Sequence, residues 1–247
     1  MKVLTLVKRV NINNASILKN MYADKPIFSI TPFTLLDYPD KTACIIWFAG
    51  CNMRCVYCYN PEIVKGKGML SVDDALNFLK SRINLIDAVV LSGGESTQYN
   101  KLSEFIRKIR ELGMLVKLDT NGSNPDRIKA LLADGLLDYV ALDFKSMEMD
   151  YFRITGSKLF SRFVKTLTML IDSSIVYEVR TTVHTALISN TRLSEMIDFV
   201  YAKGYRGNYY IQNFVNNTPT LGRIENAEHK ISVINYPHPG LRVICRN

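Results

Sequence analysis

The sequence of residues 43–58 is ACIIWFAGCNMRCVYC, an apolar run that leads into three closely spaced cysteines. The run Ala43–Phe48 has the length and apolar character of a buried β-strand, and an Ala-Gly pair follows it. Cys51, Cys55 and Cys58 therefore lie on a loop at the end of a strand, with the spacing C-x3-C-x2-C. Loops in this position carry the functional groups of many α/β proteins.

Three clustered thiolates can hold a metal in more than one way. A structural zinc site requires four ligands, usually as two separated cysteine pairs. The remaining two of the five cysteines, Cys44 and Cys245, lie in the preceding strand and near the C-terminus, so neither supplies a second pair. The ferredoxin pattern, a C-x2-C-x2-C run followed by Cys-Pro, does not occur. An iron–sulfur cube held by three cysteines leaves one iron open to a substrate or cofactor, and a zinc or redox-thiol site is the alternative.

The cysteine spacing, with the aromatic Tyr57 just before the last cysteine, resembles the signature of the radical S-adenosylmethionine (SAM) enzymes. The resemblance implies one [4Fe–4S] cluster, with Cys51, Cys55 and Cys58 as its protein ligands, and SAM as a second cofactor close to Tyr57. It also implies that the open iron binds the amino and carboxylate groups of SAM. The reduced cluster of such enzymes cleaves SAM to methionine and a 5′-deoxyadenosyl radical.

Length and composition limit the class of protein. The chain has 247 residues, of which 47% are hydrophobic, enough for one α/β domain with a sizeable core. No apolar run approaches the ~20 residues of a membrane span, and the N-terminal apolar run is too short for a signal peptide. The odd number of cysteines, without a secretory signal, predicts a protein of the reducing cytoplasm that has no membrane partner.

Positive charge is concentrated at the N-terminus. The net charge is +8, and residues 1–25 hold five basic residues against one acidic residue. We interpret this basic N-terminal arm as a solvated terminus, because no nucleic-acid-binding motif accompanies the charge. A contact with nucleic acid or with an acidic partner is the alternative interpretation.

Beyond the cysteine loop, apolar strands and amphipathic helices alternate along the chain. A short strand at residues 27–30 precedes six strands, predicted near 42–48, 88–91, 115–118, 139–144, 176–183 and 209–212. Predicted helices begin after the capping box Ser71–Asp74, near 101, at 124–125, near 158 and at Asn190. The six repeats predict an α/β fold with parallel strands and outer helices. A flat doubly wound sheet fits the same periodicity, and the resemblance favours a partial (β/α)6 barrel.

The domain organisation follows from this pattern. Residues 26–247 are expected to form a single domain after the arm, with a core at about 42–215 and a C-terminal extension at 216–247. The chain shows no internal repeat and no interdomain linker.

Polar residues follow three of the predicted strands. Ser92-Gly93-Gly94-Glu95 comes after the second strand, where two glycines would let a ligand approach the backbone closely. Asp119-Thr120-Asn121-Gly122 comes after the third strand, and Asp143-Phe144-Lys145 ends the fourth. Asp143 and Lys145 alternate to the same face, where they suit a zwitterionic ligand or, alternatively, form a structural ion pair.

The resemblance assigns roles to these residues. The run Gly93-Gly94-Glu95 matches the one that binds the amino group of SAM in the family, although most relatives have Pro where this chain has Ser96. Lys145 would meet the carboxylate of SAM. Asp119, Asn121 and Asp143 belong to runs that contact SAM in activases of glycyl-radical enzymes, and the two aspartates would serve the amino group, the ribose or a bound cation.

Arg180, Gln212 and the three histidines remain outside the predicted site. Arg180 and Gln212 mark the fifth and sixth strands, where each could line the cavity or cap its strand. The three histidines show no metal-ligand spacing and are not assigned to the site.

Four stretches resemble one group of radical SAM enzymes more closely, and these are Asp37-Tyr38-Pro39, Cys51–Cys55, Lys117–Pro125 and Tyr177–Thr182. They are similar to the activating proteins of anaerobic ribonucleoside-triphosphate reductase, in their longer form, over about residues 27–215. Asp40 stands where the group usually has glycine. The resemblance implies a glycyl-radical enzyme as partner and reduced flavodoxin or ferredoxin as electron donor.

Two alternatives remain. With three cysteines committed, the other two are too few for a second four-cysteine cluster, which favours a simple barrel that acts on an exposed loop of another protein. A radical SAM enzyme for a small molecule, such as 7-carboxy-7-deazaguanine synthase, fits the same motifs. A non-catalytic module that binds metal or nucleic acid is the alternative from a different class.

Overall fold

The computed structural model describes residues 24–231 and 238–246. These residues form one eight-stranded sheet whose strands follow one another in the order of the sequence. Strands β2 to β8 run parallel, and β1 pairs antiparallel with β2 at one edge. The strands are β1 (Ile27–Thr34), β2 (Ala43–Phe48), β3 (Ala88–Gly93), β4 (Leu115–Thr120), β5 (Tyr139–Asp143), β6 (Val176–Val183), β7 (Asn208–Asn213) and β8 (Arg242–Arg246).

Helices connect the strands from β2 to β7. They are α1 (Pro61–Lys65), α2 (Val72–Lys80), α3 (Leu102–Glu111), α4 (Pro125–Ala133), α5 (Glu148–Thr155), α6 (Phe160–Ile171) and α7 (Asn190–Ala202). The start of α2 is the expected capping box, in which Ser71 and Asp74 bond each other's backbone N–H groups. Gly113 and Gly135 follow α3 and α4 in left-handed conformations, with φ of 80° and 61°.

The two faces of the sheet bury different sets of residues. Cys44, Ile46 and Phe48 of β2 belong to the large core that the sheet shares with the helices. Their neighbours Ala43 and Ile45 face the other way, because side chains alternate along a strand. A small apolar cluster fills this inner face near the amino ends of the strands, and its members are Tyr38, Ala43, Ile45, Ala88 and Val90.

The inner face changes character at the carboxyl ends of the strands. There the inward positions are polar and include Ser92, Asp119, Asp143 and Arg180. A sheet that is apolar at one end and ionic at the other concentrates its functional groups at the carboxyl end, as in other parallel α/β folds.

A tight turn joins β1 to β2 beneath the inner face. Asp40 adopts a left-handed conformation there, with φ of 57°, so it takes the backbone shape that glycine adopts most easily. The turn is tied to the sheet by Lys117, whose Nζ donates to the carbonyl oxygen of Asp37 at 2.6 Å. Asp40 therefore keeps the turn in a conformation that glycine would also adopt.

The α/β fold, the six parallel strands and the outer helices are confirmed. The short strand predicted at residues 27–30 is longer than expected and antiparallel. Three elements were not predicted: α1, α5 and β8. The basic N-terminal arm, apart from Asp24 and Lys25, lies outside the described residues. Within the described ranges, no helix combines the length and apolar character that crossing a membrane requires.

Candidate functional site

The three predicted cysteine ligands border one cavity. Their loop follows β2 at the carboxyl end of the sheet, and Cys51, Cys55 and Cys58 all line a cavity of about 160 Å³. Cys55 is buried and the other two are half-buried. Cys44 is instead buried within β2, and Cys245 is exposed on β8. The structure thus brings together the three cysteines of the motif and places the other two elsewhere.

The C-terminal end of α5 holds the cysteine loop in place. The last carbonyl groups of a helix have no hydrogen-bond partner within the helix. In α5, the carbonyls of Ile154 and Thr155 accept hydrogen bonds from the N–H groups of Val56, at 3.0 Å, and Arg54, at 2.7 Å. Gly156 ends the helix with φ of 65° and packs against Arg54. The loop therefore caps the helix, and the helix in turn fixes the loop.

A second segment closes the other side of the loop. Leu221 N–H donates to the carbonyl of Cys58 at 2.9 Å, and Gly222 N–H donates to that of Val56 at 2.8 Å. A Cβ atom at Gly222 would lie 2.7 Å from Val56 Cβ, so a larger residue would displace the loop. The backbone around the cysteines is thus held on two sides by the protein alone.

The thiols suit metal binding rather than free thiolate chemistry. Burial raises the pKa of Cys51 to about 12 and that of Cys55 to about 11. Such thiols stay protonated at neutral pH until a metal displaces the proton. No three His, Cys, Asp or Glu side chains within residues 24–231 and 238–246 are grouped to hold a single metal ion. A [4Fe–4S] cluster does not require that grouping, because its cysteines bind different iron atoms.

The glycine pair after β3 packs against the protein. A Cβ atom at Gly93 would lie 2.4 Å from the backbone N and O atoms of Phe48, and one at Gly94 would lie 1.7 Å from the carbonyl oxygen of Gly50. These glycines were expected because a ligand would approach the backbone closely, but their close contacts are with the protein itself. Both residues do line the cavity, but the close contacts that exclude a side chain are with β2 and the start of the cysteine loop.

The Glu95 carboxylate binds neighbouring protein groups. Its Oε1 accepts hydrogen bonds from the hydroxyls of Thr97, at 2.5 Å, and Thr120, at 2.9 Å, and Oε2 accepts from Asn121 N–H at 2.8 Å. Burial raises its pKa, although these hydrogen bonds oppose the shift. Of the described residues, Asn121 lines the cavity and Glu95 does not. Asn121 Nδ2 lies 3.9 Å from Cys51 Sγ, so Glu95 positions a group beside the thiols.

Five charged side chains of alternating sign meet at the edge of the cavity. Arg180 of β6 pairs with Asp119 of β4 at 3.5 Å and with Asp143 of β5 at 2.9 Å. Asp143 also pairs with Lys145 at 3.1 Å, and Asp119 with Lys117 at 2.9 Å. We call these five residues the ionic row. The expected proximity of Asp143 and Lys145 is confirmed, and their contact is itself an ion pair.

Neighbouring charges dominate the protonation of the ionic row. Burial alone would raise the pKa of Asp143, but Arg180 and Lys145 outweigh it and lower the pKa to about 2. Arg180 and Lys117 likewise outweigh burial and lower the pKa of Asp119. Burial would lower the pKa of Lys145, whereas Asp143 raises it well above its ordinary range. These carboxylates and the Lys145 ammonium are therefore charged at neutral pH.

Tyr57 presents a buried hydroxyl at the cavity. Its side chain is buried and lines the cavity, and its ring centre lies 6.0 Å from Lys145 Nζ. The hydroxyl has no hydrogen-bond partner among the described residues. Buried hydroxyls nearly always have a partner, so this one is available to a ligand that enters the cavity.

A larger cavity adjoins the first one. It measures about 670 Å³ and runs along the inner face of the sheet, and Tyr59 and Thr182 line both cavities. Lys117 and Arg180 form part of its wall together with the Gln212 side chain. The ionic row thus separates the two cavities, and they meet at Tyr59 and Thr182.

Lys117 is not among the predicted site residues, and two roles were expected as alternatives for Arg180, namely lining the cavity or capping its strand. Lys117 precedes Asp119 by two positions on β4, and Arg180 lies between Glu178 and Thr182 on β6. Residues two positions apart on a strand point to the same face, so this spacing indicates that Lys117 and Arg180 point inward together with the predicted site residues. The partners of Arg180 come from two other strands, which no local pattern specifies. Gln212 lines the second cavity, which was one of the two roles expected for it, the other being to cap its strand.

Comparisons with known proteins agree with this geometry. The family described as the radical SAM superfamily matches residues 45–200. A Methanocaldococcus jannaschii protein that is named as a glycyl-radical enzyme activating enzyme is 33% identical over 163 residues, 63% of this chain and 67% of that protein. The 7-carboxy-7-deazaguanine synthase of Methanopyrus kandleri is 36% identical over 120 residues, 40% of this chain and 47% of the synthase.

Solved structures share the fold. Streptococcus suis SuiB bound to S-adenosylmethionine superposes with a TM-score of 0.62 at 13% identity, over 82% of this chain and 52% of SuiB. This chain therefore spans about half the length of SuiB and of the synthase that it matches. The family match runs from β2 into α7 and includes the cysteine loop and the whole ionic row. The chain belongs to the radical SAM superfamily.

Proposed function

We propose that this radical SAM enzyme generates a glycyl radical on a partner enzyme, and that the partner is anaerobic ribonucleoside-triphosphate reductase. The observation that carries the proposal is the 33% identity, over two thirds of its length, to a protein named as a glycyl-radical enzyme activating enzyme. The motifs shared with activating proteins of the reductase support the choice of partner.

The cysteine loop supplies the cluster site in this proposal. Cys51, Cys55 and Cys58 bind one [4Fe–4S] cluster, and the clamp formed by α5 keeps their backbone in place. A cluster held there and reduced would supply the electron for cleavage of SAM, and the target glycine would then give up a hydrogen atom to the 5′-deoxyadenosyl group. A reduced flavodoxin or ferredoxin supplies the electron.

The ionic row and Tyr57 hold SAM. Lys145 would bind its carboxylate, while Asp119 and Asp143 would attract its amino group, because opposite charges in a partly desolvated site interact strongly. The Tyr57 hydroxyl is available to donate a further hydrogen bond. The first cavity, about 160 Å³, is smaller than the ~300–1,000 Å³ of most small-molecule sites, so SAM would extend past Tyr59 and Thr182.

The second cavity offers a place for the target. Its volume of about 670 Å³ suits a peptide segment, whose main chain needs hydrogen-bond partners. Its lining offers them from the Gln212 amide and the Thr182 hydroxyl, together with charged groups such as Lys117. Leu35 and Leu36, which both line it, are 64% and 90% exposed, and such an exposed apolar pair suits a contact with another protein.

The test is an anaerobic incubation of the reconstituted protein with reductant, SAM and the reductase encoded in the same genome. Electron paramagnetic resonance should show a glycyl radical on the reductase. Cys55→Ala should abolish the signal and lower the iron content, while Cys245→Ala, which changes a cysteine on β8, should keep both. A wild-type protein that cleaves SAM without producing the radical on the reductase would contradict the assigned partner.

A second candidate function is modification of a small molecule. The identity to 7-carboxy-7-deazaguanine synthase favours it, and a cavity of about 670 Å³ can also hold such a substrate. Anaerobic turnover with the substrate of that synthase, followed by mass spectrometry for 7-carboxy-7-deazaguanine, distinguishes the two functions. Product formation without any radical on the reductase would favour this candidate.

A further inference from the structure

Helix α5 exposes two large apolar side chains beside the cysteine loop. Met149 and Phe152 are 73% and 60% exposed, and their spacing of three residues places them side by side on the helix. The opposite face of the helix is buried, with Tyr151 and Ile154 at 1% and 0% exposure. The apolar pair therefore lies on the outer side of the helix whose end clamps the loop.

Basic side chains surround this pair. Lys158 Nζ lies 5.9 Å from the centre of the Phe152 ring. Arg153 is exposed on the same helix, and Arg54 is exposed on the cysteine loop itself. We call Arg54, Met149, Phe152, Arg153 and Lys158 the α5 surface.

The acidic residues of α5 leave this surface positive. Asp150 is already paired, with Arg153 at 3.0 Å and with Arg192 at 2.9 Å. Glu148, at the first position of the helix, is the other acid of α5. Arg192 also pairs with Glu195. Three basic residues of the α5 surface and Arg192 therefore face three acids, which leaves one positive charge in excess.

The cysteine loop separates the α5 surface from the two cavities. The thiols point into the first cavity, whereas the N–H groups of Arg54 and Val56 bond to the end of α5. The Arg54 guanidinium also donates to the carbonyls of Cys51, at 2.6 Å, and Met53, at 2.8 Å. If SAM and the target fill the cavities, an electron must reach the cluster from the outer side of this loop.

We propose that the α5 surface docks an acidic one-electron carrier protein that reduces the cluster. This inference rests on the proposed cluster site. An apolar centre with a charged rim is the usual composition of a transient protein interface, and the positive rim complements and steers an acidic partner. In the transfer, the carrier loses one electron and the cluster gains it, with no bond made or broken.

The experiment uses the full chain with its cluster loaded, and reduced flavodoxin as the probe. We expect Lys158→Glu and Met149→Ser each to weaken flavodoxin binding, measured by calorimetry, and to slow cluster reduction on the order of tenfold at low salt. Added salt should slow the wild-type reaction and narrow the difference from Lys158→Glu. Reduction by dithionite, which needs no docking, should be equal in all proteins.

Lys108→Glu is the matched control. It changes the net charge equally at an exposed position, but Lys108 lies in the last turn of α3, which returns toward the amino ends of the strands and away from the loop. It should reduce flavodoxin-driven transfer by much less than Lys158→Glu. Equal effects of the two charge reversals would overturn the proposal, since they would show only a dependence on net charge.

Other occupants of the α5 surface give different results. Unchanged reduction by flavodoxin, with a loss of radical transfer to the reductase under dithionite, would assign the surface to the reductase and overturn the proposal. A change in molecular mass in solution, with unchanged flavodoxin binding, would assign it to a second copy of this chain. Dithionite-driven SAM cleavage by the wild-type protein tests the proposed function separately, because it does not involve the α5 surface.

Discussion

Arg180 lies between two carboxylates on neighbouring strands that would otherwise repel each other. Its Nε contacts Asp143 Oδ1 at 2.9 Å, and Lys145 contacts Oδ2 of the same carboxylate at 3.1 Å. Each oxygen of Asp143 thus has its own cation. Without Arg180, Lys145 would be the remaining cation on Asp143 and would be held there more strongly, so it would be less available to an anionic ligand.

We therefore expect Arg180→Ala to weaken SAM binding. A hydrogen bond to a charged group contributes about 1.5–3 kcal/mol, so the dissociation constant should rise on the order of tenfold to a hundredfold. Because Arg180 also lines the second cavity, millimolar guanidinium should enter that cavity and restore part of the affinity. Calorimetric titration of the cluster-loaded variant with SAM, with and without guanidinium, measures both effects.

The control for Arg180 is an arginine on the surface. Arg107 pairs with Asp134 at 2.7 Å, but both side chains are nearly half exposed, and such pairs contribute little. Arg107→Ala should bind SAM normally and should not respond to guanidinium. If Arg180→Ala binds SAM as tightly as the wild type, the ionic row is a structural feature and does not serve the ligand.

Among the elements, the junction of β3 with the cysteine loop leaves no space for a side chain. Glu95 N–H donates to the carbonyl oxygen of Gly50 at 2.9 Å, and Gly94 N–H donates to that of Phe48. A Cβ atom at Gly94 would lie 1.7 Å from the Gly50 oxygen, a contact that only a backbone shift can relieve. The turn after β3 and the turn before Cys51 therefore have to move together.

This contact predicts the effect of Gly94→Ala. Overpacking a rigid site costs about 1–3 kcal/mol and occasionally more, and each kcal/mol lowers the melting temperature of a chain of this size by roughly 2–4 °C. Because the displaced group is part of the cysteine loop, iron content after reconstitution should fall along with SAM affinity. Thermal unfolding and iron analysis measure the two effects.

Gly135→Ala separates this steric effect from backbone strain. Gly135 has φ of 61°, but a Cβ atom there would meet nothing within 4 Å. The Gly135→Ala variant should therefore be less stable than the wild type but should bind the same amount of iron. Normal iron content in Gly94→Ala would show that the loop adjusts independently of β3.

The elements that were not predicted have weak local signals. Helix α5 has eight residues and begins directly after the fourth predicted strand, and its role comes from the hydrogen bonds of its end to the cysteine loop. Strand β8 has five residues with arginines at both ends, and it exists because it pairs with β7. By contrast, the long apolar strands and Ser71–Asp74 were predictable, because their signals lie within a few neighbouring residues. Sequence thus indicated the cysteines and the acidic strand ends, but not that Arg180 would pair with the carboxylates of Asp119 and Asp143 on two other strands.

For the whole molecule, the ionic row contributes to the dependence of stability on pH. Asp143 has a pKa of about 2 in the folded protein, against an ordinary value of 3.8. Its contribution to the stability of the fold is therefore complete above pH 3.8 and is lost as the pH falls toward 2. The contribution of Lys145 to stability depends on pH in the opposite direction. Its pKa is raised above 10.5, so its contribution is complete below that value and is lost as the pH rises further.

We therefore expect the contribution of the ionic row to be constant between about pH 5 and 9 and to fall on both sides of this range. Thermal unfolding of the wild type and of Asp143→Asn across pH 2–7 tests the acidic side, because the amide does not titrate. The variant should be less stable at neutral pH, and the difference should shrink toward pH 2. A constant difference over the whole range would contradict the lowered pKa of Asp143.

The clamp on the cysteine loop has a consequence for biosynthesis. The loop emerges from the ribosome before its backbone partners, which come later in the chain at Ile154 and Thr155 and at Leu221 and Gly222. Chains grow at about 5–20 residues per second, so for several seconds the thiols exist without the contacts that shape their loop. Iron delivered during that interval would meet a flexible peptide. Productive loading therefore belongs after residues up to Gly222 have been made and have folded, and a factor that inserts the cluster would recognise that folded form.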